Sequence, residues 1–176
     1  MRFDEKLDIS DMVRCVANYG KTLSIAMEFE AKKTEARNAL NGSDGDAGSC
    51  GKDNANGKCN GESDNGKIDA ASMYEFARLA VIQAYQITVD SAWKLMQRWI
   101  KINADQNIAQ KPKRELFRIA RDSGLIADAE SWWGFYDGRN KTSHTYHEAV
   151  AEEVYAMAKA FKSHLEDFLR RIGERR

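Results

Sequence analysis

Seven apolar residues near the end of the chain, Val150, Val154, Met157, Phe161, Leu165, Phe168 and Ile172, recur at steps of three and four. That spacing lays them along one face of an α-helix. A helix that long with one apolar stripe must cover it with other elements. The same period recurs in Met73, Ala77, Ala80, Val81, Tyr85, Thr88, Ala92, Leu95, Met96 and Trp99, and again in Met12, Val13, Val16, Tyr19, Leu23, Ala26 and Met27. No segment sustains the alternation of a strand.

Local signals bound these helices. The first is expected from about Ser10 to about Leu40, with Gly20 a weak point rather than a break. Asp69 can cap a second helix that reaches about Asn103. Pro112 fits the first turn of a short third helix bearing Leu116, Phe117, Ile119 and Ala120, which stops at Gly124. Asp128 opens a fourth with Trp132, Trp133, Phe135 and Tyr136. Thr145 and Glu148 have the spacing of a capping box, which would make Tyr146 the first residue of the last helix. The expected fold is all-α, an antiparallel up-and-down four-helix bundle with a short accessory helix. At 176 residues it is expected to form one domain over 1–176.

Residues 41–67 break the pattern. Gly, Asn, Asp and Ser dominate them, and such a segment buries too little to offset its ordering entropy, so a disordered loop is expected. A calcium loop fails at the third position from Asp53, which is Ala55. Cys50 and Cys59 have no second ligand pair beside them, so no metal site and no cofactor are expected.

Lys plus Arg equals Asp plus Glu at 27 each, so any nucleic-acid site has to be a local patch. No apolar run has the length of a membrane span, and Met1–Lys6 lacks the apolar core of a signal peptide. Three cysteines without a disulfide framework fit a cytoplasmic protein.

Chemistry concentrates in the joint before the last helix: Arg139, Asn140, Lys141, Thr142, Ser143, His144, Thr145 and Tyr146. Arginine grips phosphate as a planar fork, and histidine moves protons near neutral pH. With Thr145 as cap, His144 would stand just outside a helix N-terminus, which is hospitable to phosphate and disfavours imidazolium. Trp132, Tyr136 and Arg139 share a face, so the guanidinium is expected to stack on Tyr136 or Trp132. The plain alternative is a polar turn whose arginine complements a helix dipole. The aromatic cluster Trp132, Trp133, Phe135 and Tyr136 is open to two readings, core or interface.

Ala92-Trp93-Lys94-Leu95-Met96, the run from Pro112-Lys113-Arg114-Glu115 to Ser123-Gly124-Leu125-Ile126, and Trp133 to Tyr155 with its Arg-x4-His-x-Tyr signature together resemble the nucleotidyltransferase substrate-binding protein family of the HEPN superfamily. The resemblance runs from the second helix to the C-terminus; residues 41–67 lengthen a link that is usually short. It implies a dimerising bundle, the toxin of a toxin–antitoxin pair, whose partner is a minimal nucleotidyltransferase. The implied activity is metal-independent RNA cleavage by Arg139 and His144, supported by Asn140 and silenced by AMP transfer to Tyr146. The family's older implied role is a non-catalytic subunit presenting substrate to that nucleotidyltransferase.

Overall fold

A computed structural model describes residues 8–41, 69–144 and 147–175. Among these the chain is wholly helical: α1 (Ser10–Asn41), α2 (Ala70–Asn103), α3 (Lys113–Asp122), α4 (Ala129–Lys141) and α5 (Glu148–Glu174), with short 3-10 turns at Ile108–Gln110 and Thr142–His144. The expected all-α class holds. Apart from Asn41, which closes α1, the 41–67 segment with Cys50 and Cys59 lies outside the described residues.

The caps follow the chemistry of their residues. The Asp69 carboxylate accepts the Ser72 amide at 2.7 Å, and Asp128 accepts the amides of Glu130 and Ser131 at 3.2 and 3.0 Å. Each satisfies a donor that the first helical turn leaves orphaned. Pro112 stands one residue earlier than expected, as the residue before the first helical position of α3. At the far end of α3, Gly124 adopts φ 74°. Its amide donates to Arg121 and the Leu125 amide donates back to Ala120, both at 2.8 Å. This is a Schellman closure, and its left-handed residue favours glycine.

Packing reads as up and down. Tyr19 of α1 packs edge-on against Phe161, while Glu30, further along α1, meets Tyr155 and Lys159, nearer the start of α5. The two helices therefore run antiparallel. So do α4 and α5, with Lys141 against Glu153 and Trp132 against Phe168. The α5 stripe enters the core as expected, with Val154, Phe161, Leu165, Phe168 and Ile172 buried and Val150 and Met157 at its margin. Trp132 sits edge-on to Phe161 and Phe168, with ring centroids 5.3 and 5.5 Å apart.

Two stripes are narrower than their periodicity implied. Val13, Met27 and Ala80 are exposed although they lie in phase with buried neighbours. A helix in this bundle covers only part of its circumference, and residues at the stripe's edge fall outside it. Burial also takes in Arg78, in step with Tyr74, Val81 and Tyr85.

Candidate active site

The joint between α4 and α5 is held by α2. Arg139, in the last turn of α4, points its Nη2 to the Asp90 carboxylate on α2 at 2.6 Å. The second Asp90 oxygen accepts the Trp93 indole N–H at 3.2 Å. One carboxylate thus fixes both an arginine and a tryptophan. The hydrogen bond to Asp90 raises the guanidinium's pKa above its ordinary value, so the group is a permanent cation. Arg139 keeps 29% of its side chain exposed, while its Nε is buried without a hydrogen-bond partner among the described residues. Stacking on Tyr136 or Trp132 does not hold it. Trp132 is spent in the core, and the carboxylate outcompetes a ring for a guanidinium.

Asn140 is exposed; its side-chain oxygen lies 3.5 Å from Arg139 Nη1. The Thr142 and Ser143 hydroxyls donate to the carbonyls of Arg139 and Asn140 at 2.7 and 3.1 Å, turning the end of α4 into the 3-10 turn. His144 is the last residue of that turn. Its side chain, Thr145 and Tyr146 lie outside the described residues.

The expected capping box is not how α5 begins. His147 occupies the cap, Glu148 is the first helical residue, and the amides of Val150 and Ala151 donate to the His147 carbonyl at 3.0 Å. His144 therefore stands three residues before the cap, not one. The Glu148 carboxylate turns instead to Arg78, whose two Nη atoms meet its oxygens at 2.5 and 2.6 Å. Arg78 also pairs with Glu152, one turn on. Arg78 is only 4% exposed and attached to α2, so α2 anchors the joint twice, by a carboxylate before it and a guanidinium after it.

Periodicity missed both anchors. Arg78 had a signal, a lone arginine in phase with an apolar stripe facing two glutamates one turn apart. Asp90 had none, since a half-buried carboxylate is ordinary on a long helix.

The Arg78 hydrogen bond holds the Glu148 carboxyl below its usual range. A lowered folded value stabilises above the unfolded pKa, about 4.3, and is lost as pH falls through the folded one. Corrected for intrinsic rates, exchange at Val150 and Ala151 should therefore accelerate below about pH 4. Glu148→Gln should show fast exchange throughout. Identical pH profiles for the two proteins would remove Glu148 from this role.

Gly138 lies directly before Arg139, where α4 crosses α2 and α5. A Cβ there would run into Met157 Sδ and stand 3.2 Å from the Tyr85 hydroxyl. Gly134, one turn earlier, has nothing within 4 Å of a Cβ.

Comparison with known proteins converges on one family. Residues 62–174 match the model of the family described as nucleotidyltransferase substrate binding protein like. A curated relative, probable ribonuclease HepT of Haemophilus influenzae, is 35% identical over 83 residues, 46% of this chain. The chain spans 56% of that relative's length. The solved Haemophilus influenzae protein HI0074, described as the fold of a substrate binding domain of a nucleotidyltransferase, superposes with a TM-score of 0.58 at 19% identity. That match covers 89% of this chain and 97% of that one, and it establishes likeness of fold. With the family model matched over more than half its length, from the end of the polar insertion through α5, this chain belongs to the nucleotidyltransferase substrate binding protein like family.

Proposed function

We propose that the chain is a metal-independent endoribonuclease, the toxin of a toxin–antitoxin pair, with Arg139 and His144 as its catalytic residues. The observation that carries this reading is Arg139: a partly exposed guanidinium, oriented by Asp90 five residues before a histidine. The curated relative named as a probable ribonuclease supports it.

The reaction needs only protein groups. A base takes the proton of an RNA 2′-hydroxyl, the oxygen attacks the adjacent phosphorus, and the bond to the 5′-oxygen breaks as an acid protonates it. The products are a 2′,3′-cyclic phosphate and a 5′-hydroxyl. His144 serves as base or acid, and Arg139 stabilises the equatorial oxygens as charge builds on them. Asn140 supports the arginine. Two copies of the motif, brought together by a twofold dimer, would supply both base and acid. An apolar stripe on α2, with Phe76, Leu79 and Ile87 exposed at 63%, 49% and 50%, offers an exposed apolar face for such a dimer.

Control comes from a partner nucleotidyltransferase. The Tyr146 hydroxyl would attack the α-phosphorus of ATP, releasing pyrophosphate and leaving AMP on the phenol. Negative charge two residues from His144 would repel substrate phosphate.

The test is RNA incubation in chelator with wild type and His144→Ala, each with and without prior treatment by the nucleotidyltransferase with magnesium and ATP. Wild type alone should cleave, His144→Ala should not, and the partner should silence wild type while mass spectrometry finds AMP on Tyr146. Equal cleavage by both proteins would sink the assignment of His144. A second reading, a non-catalytic subunit presenting substrate to the nucleotidyltransferase, is favoured by the description of the HI0074 fold. It predicts a stable complex with the partner and intact RNA in every arm.

A further inference from the structure

The surface beside Arg139 is aromatic and basic at once. Trp93, Trp133 and Tyr136 are half-buried, so part of each side chain meets solvent. Trp93 stands edge-on to Tyr136 with centroids 6.5 Å apart, and Tyr136 lies 5.8 Å from Trp133. Lys113, at the start of α3, places its Nζ 3.3 Å from the centre of the Trp93 ring. Lys94 lies 5.8 Å from the same ring, and Arg114 lies 5.6 Å from that of Trp133. Three cations thus join Arg139 on one ledge of a chain with no net charge, where Glu130 pairs with Arg114 and Asp90 with Arg139, leaving Lys94 and Lys113 in excess.

The ledge and Arg139 are physically continuous. The Asp90 carboxylate that orients Arg139 also holds the Trp93 indole, so ring and guanidinium are set side by side. Lys113 is the movable part. Burial lowers its ammonium's pKa, a cost in hydration that a nearby anion would relieve. An aromatic face capped by a displaceable cation, next to a fixed guanidinium, has the makings of a nucleotide site: base on the ring, phosphate on the cations.

We propose that this ledge binds single-stranded RNA, with a nucleobase stacked on Trp93 and Lys113 moved from the ring to an adjoining phosphate, next to the phosphate that Arg139 engages. The inference rests on the reading of Arg139 as a phosphate-binding residue of a ribonuclease. It adds that the substrate is unpaired, because a base within a duplex offers no free face to an indole.

Binding can be measured apart from cleavage. A labelled single-stranded oligonucleotide with 2′-O-methyl groups cannot attack itself, so fluorescence anisotropy with the full-length protein reads affinity alone. Trp93→Leu should weaken binding about ten- to a hundredfold, and Trp93→Phe, which keeps a stacking face, should stay within about threefold of wild type. Lys113→Gln, a change to a polar side chain near the surface, should reduce the salt dependence of log K by about 0.7. The duplex of the same sequence should bind far more weakly.

Wild-type affinity in Trp93→Leu, or a duplex that binds as tightly as the single strand, would overturn the proposal. So would a Trp93→Leu protein that loses its complex with the nucleotidyltransferase but keeps its oligonucleotide affinity, since the ledge would then belong to that protein. The two readings fail separately. Trp93-dependent binding without RNA cleavage leaves the ledge standing and removes the ribonuclease. Cleavage that needs His144, with Trp93→Leu unchanged in affinity and KM, does the reverse.

Discussion

His144→Ala is expected to lower RNA cleavage by about 10²- to 10⁴-fold, the usual contribution of a positioned general acid or base. Arg139→Ala should cost about 10²- to 10³-fold in kcat, comparable to removing one preorganised donor from an oxyanion site. The two losses should not add. Groups that serve one transition state fail together, so the double variant should be little worse than the poorer single one. Stability should barely move, because Asp90 stays partly exposed and retains the Trp93 hydrogen bond when Arg139 is gone. Asp90→Asn adds a finer readout. It keeps the shape and an acceptor while removing the charge, so kcat should fall less than in Arg139→Ala. Melting curves, single-turnover rates and a pH–rate profile separate these cases. Fully additive losses would indicate that Arg139 and His144 act at different steps.

Trp132→Ala is expected to produce the largest loss of stability, about 3–5 kcal/mol, as for other large aromatic deletions from a packed core. Trp132 is 2% exposed and meets Phe117, Phe135, Phe161 and Phe168, rings drawn from α3, α4 and α5. Its removal leaves a cavity that three helices would have to move to fill. Denaturant unfolding gives the free energy directly. If Trp132 instead belonged to a contact between copies, sedimentation would show a shift in oligomeric state with little change in the unfolding of the monomer. The neighbouring Trp133, half-buried under Arg114, should tolerate substitution far better.

Helices were legible because their signals are local. Asp69, Asp128 and Gly124 do at the ends of α2, α4 and α3 what carboxylates and glycine do at helix ends generally. The α5 stripe needed only its period. The start of α5 was misread because Thr145 and Glu148 carry a local signal that a tertiary contact overrides: Arg78, seventy residues earlier, takes the glutamate. Arg139 failed in the same manner. Its sequence neighbours were rings, and its partner was a carboxylate on another helix. Spacing along one helix gives a face, but the choice among partners on that face depends on which helix lies across it.

Gly138 carries no chemistry, yet it sets the tolerance of the whole arrangement. A side chain there would begin where Met157 Sδ lies and 3.2 Å from the Tyr85 hydroxyl, so Met157 would have to move to admit it. A methyl group there would act as a shim, displacing the Met157 side chain and pressing the last turn of α4 against the Tyr85 hydroxyl. Arg139 is the very next residue, and its 2.6 Å bond to Asp90 has little slack. A substitution at Gly138 should therefore disturb the pairing of Arg139 with Asp90 while leaving both of those residues in place.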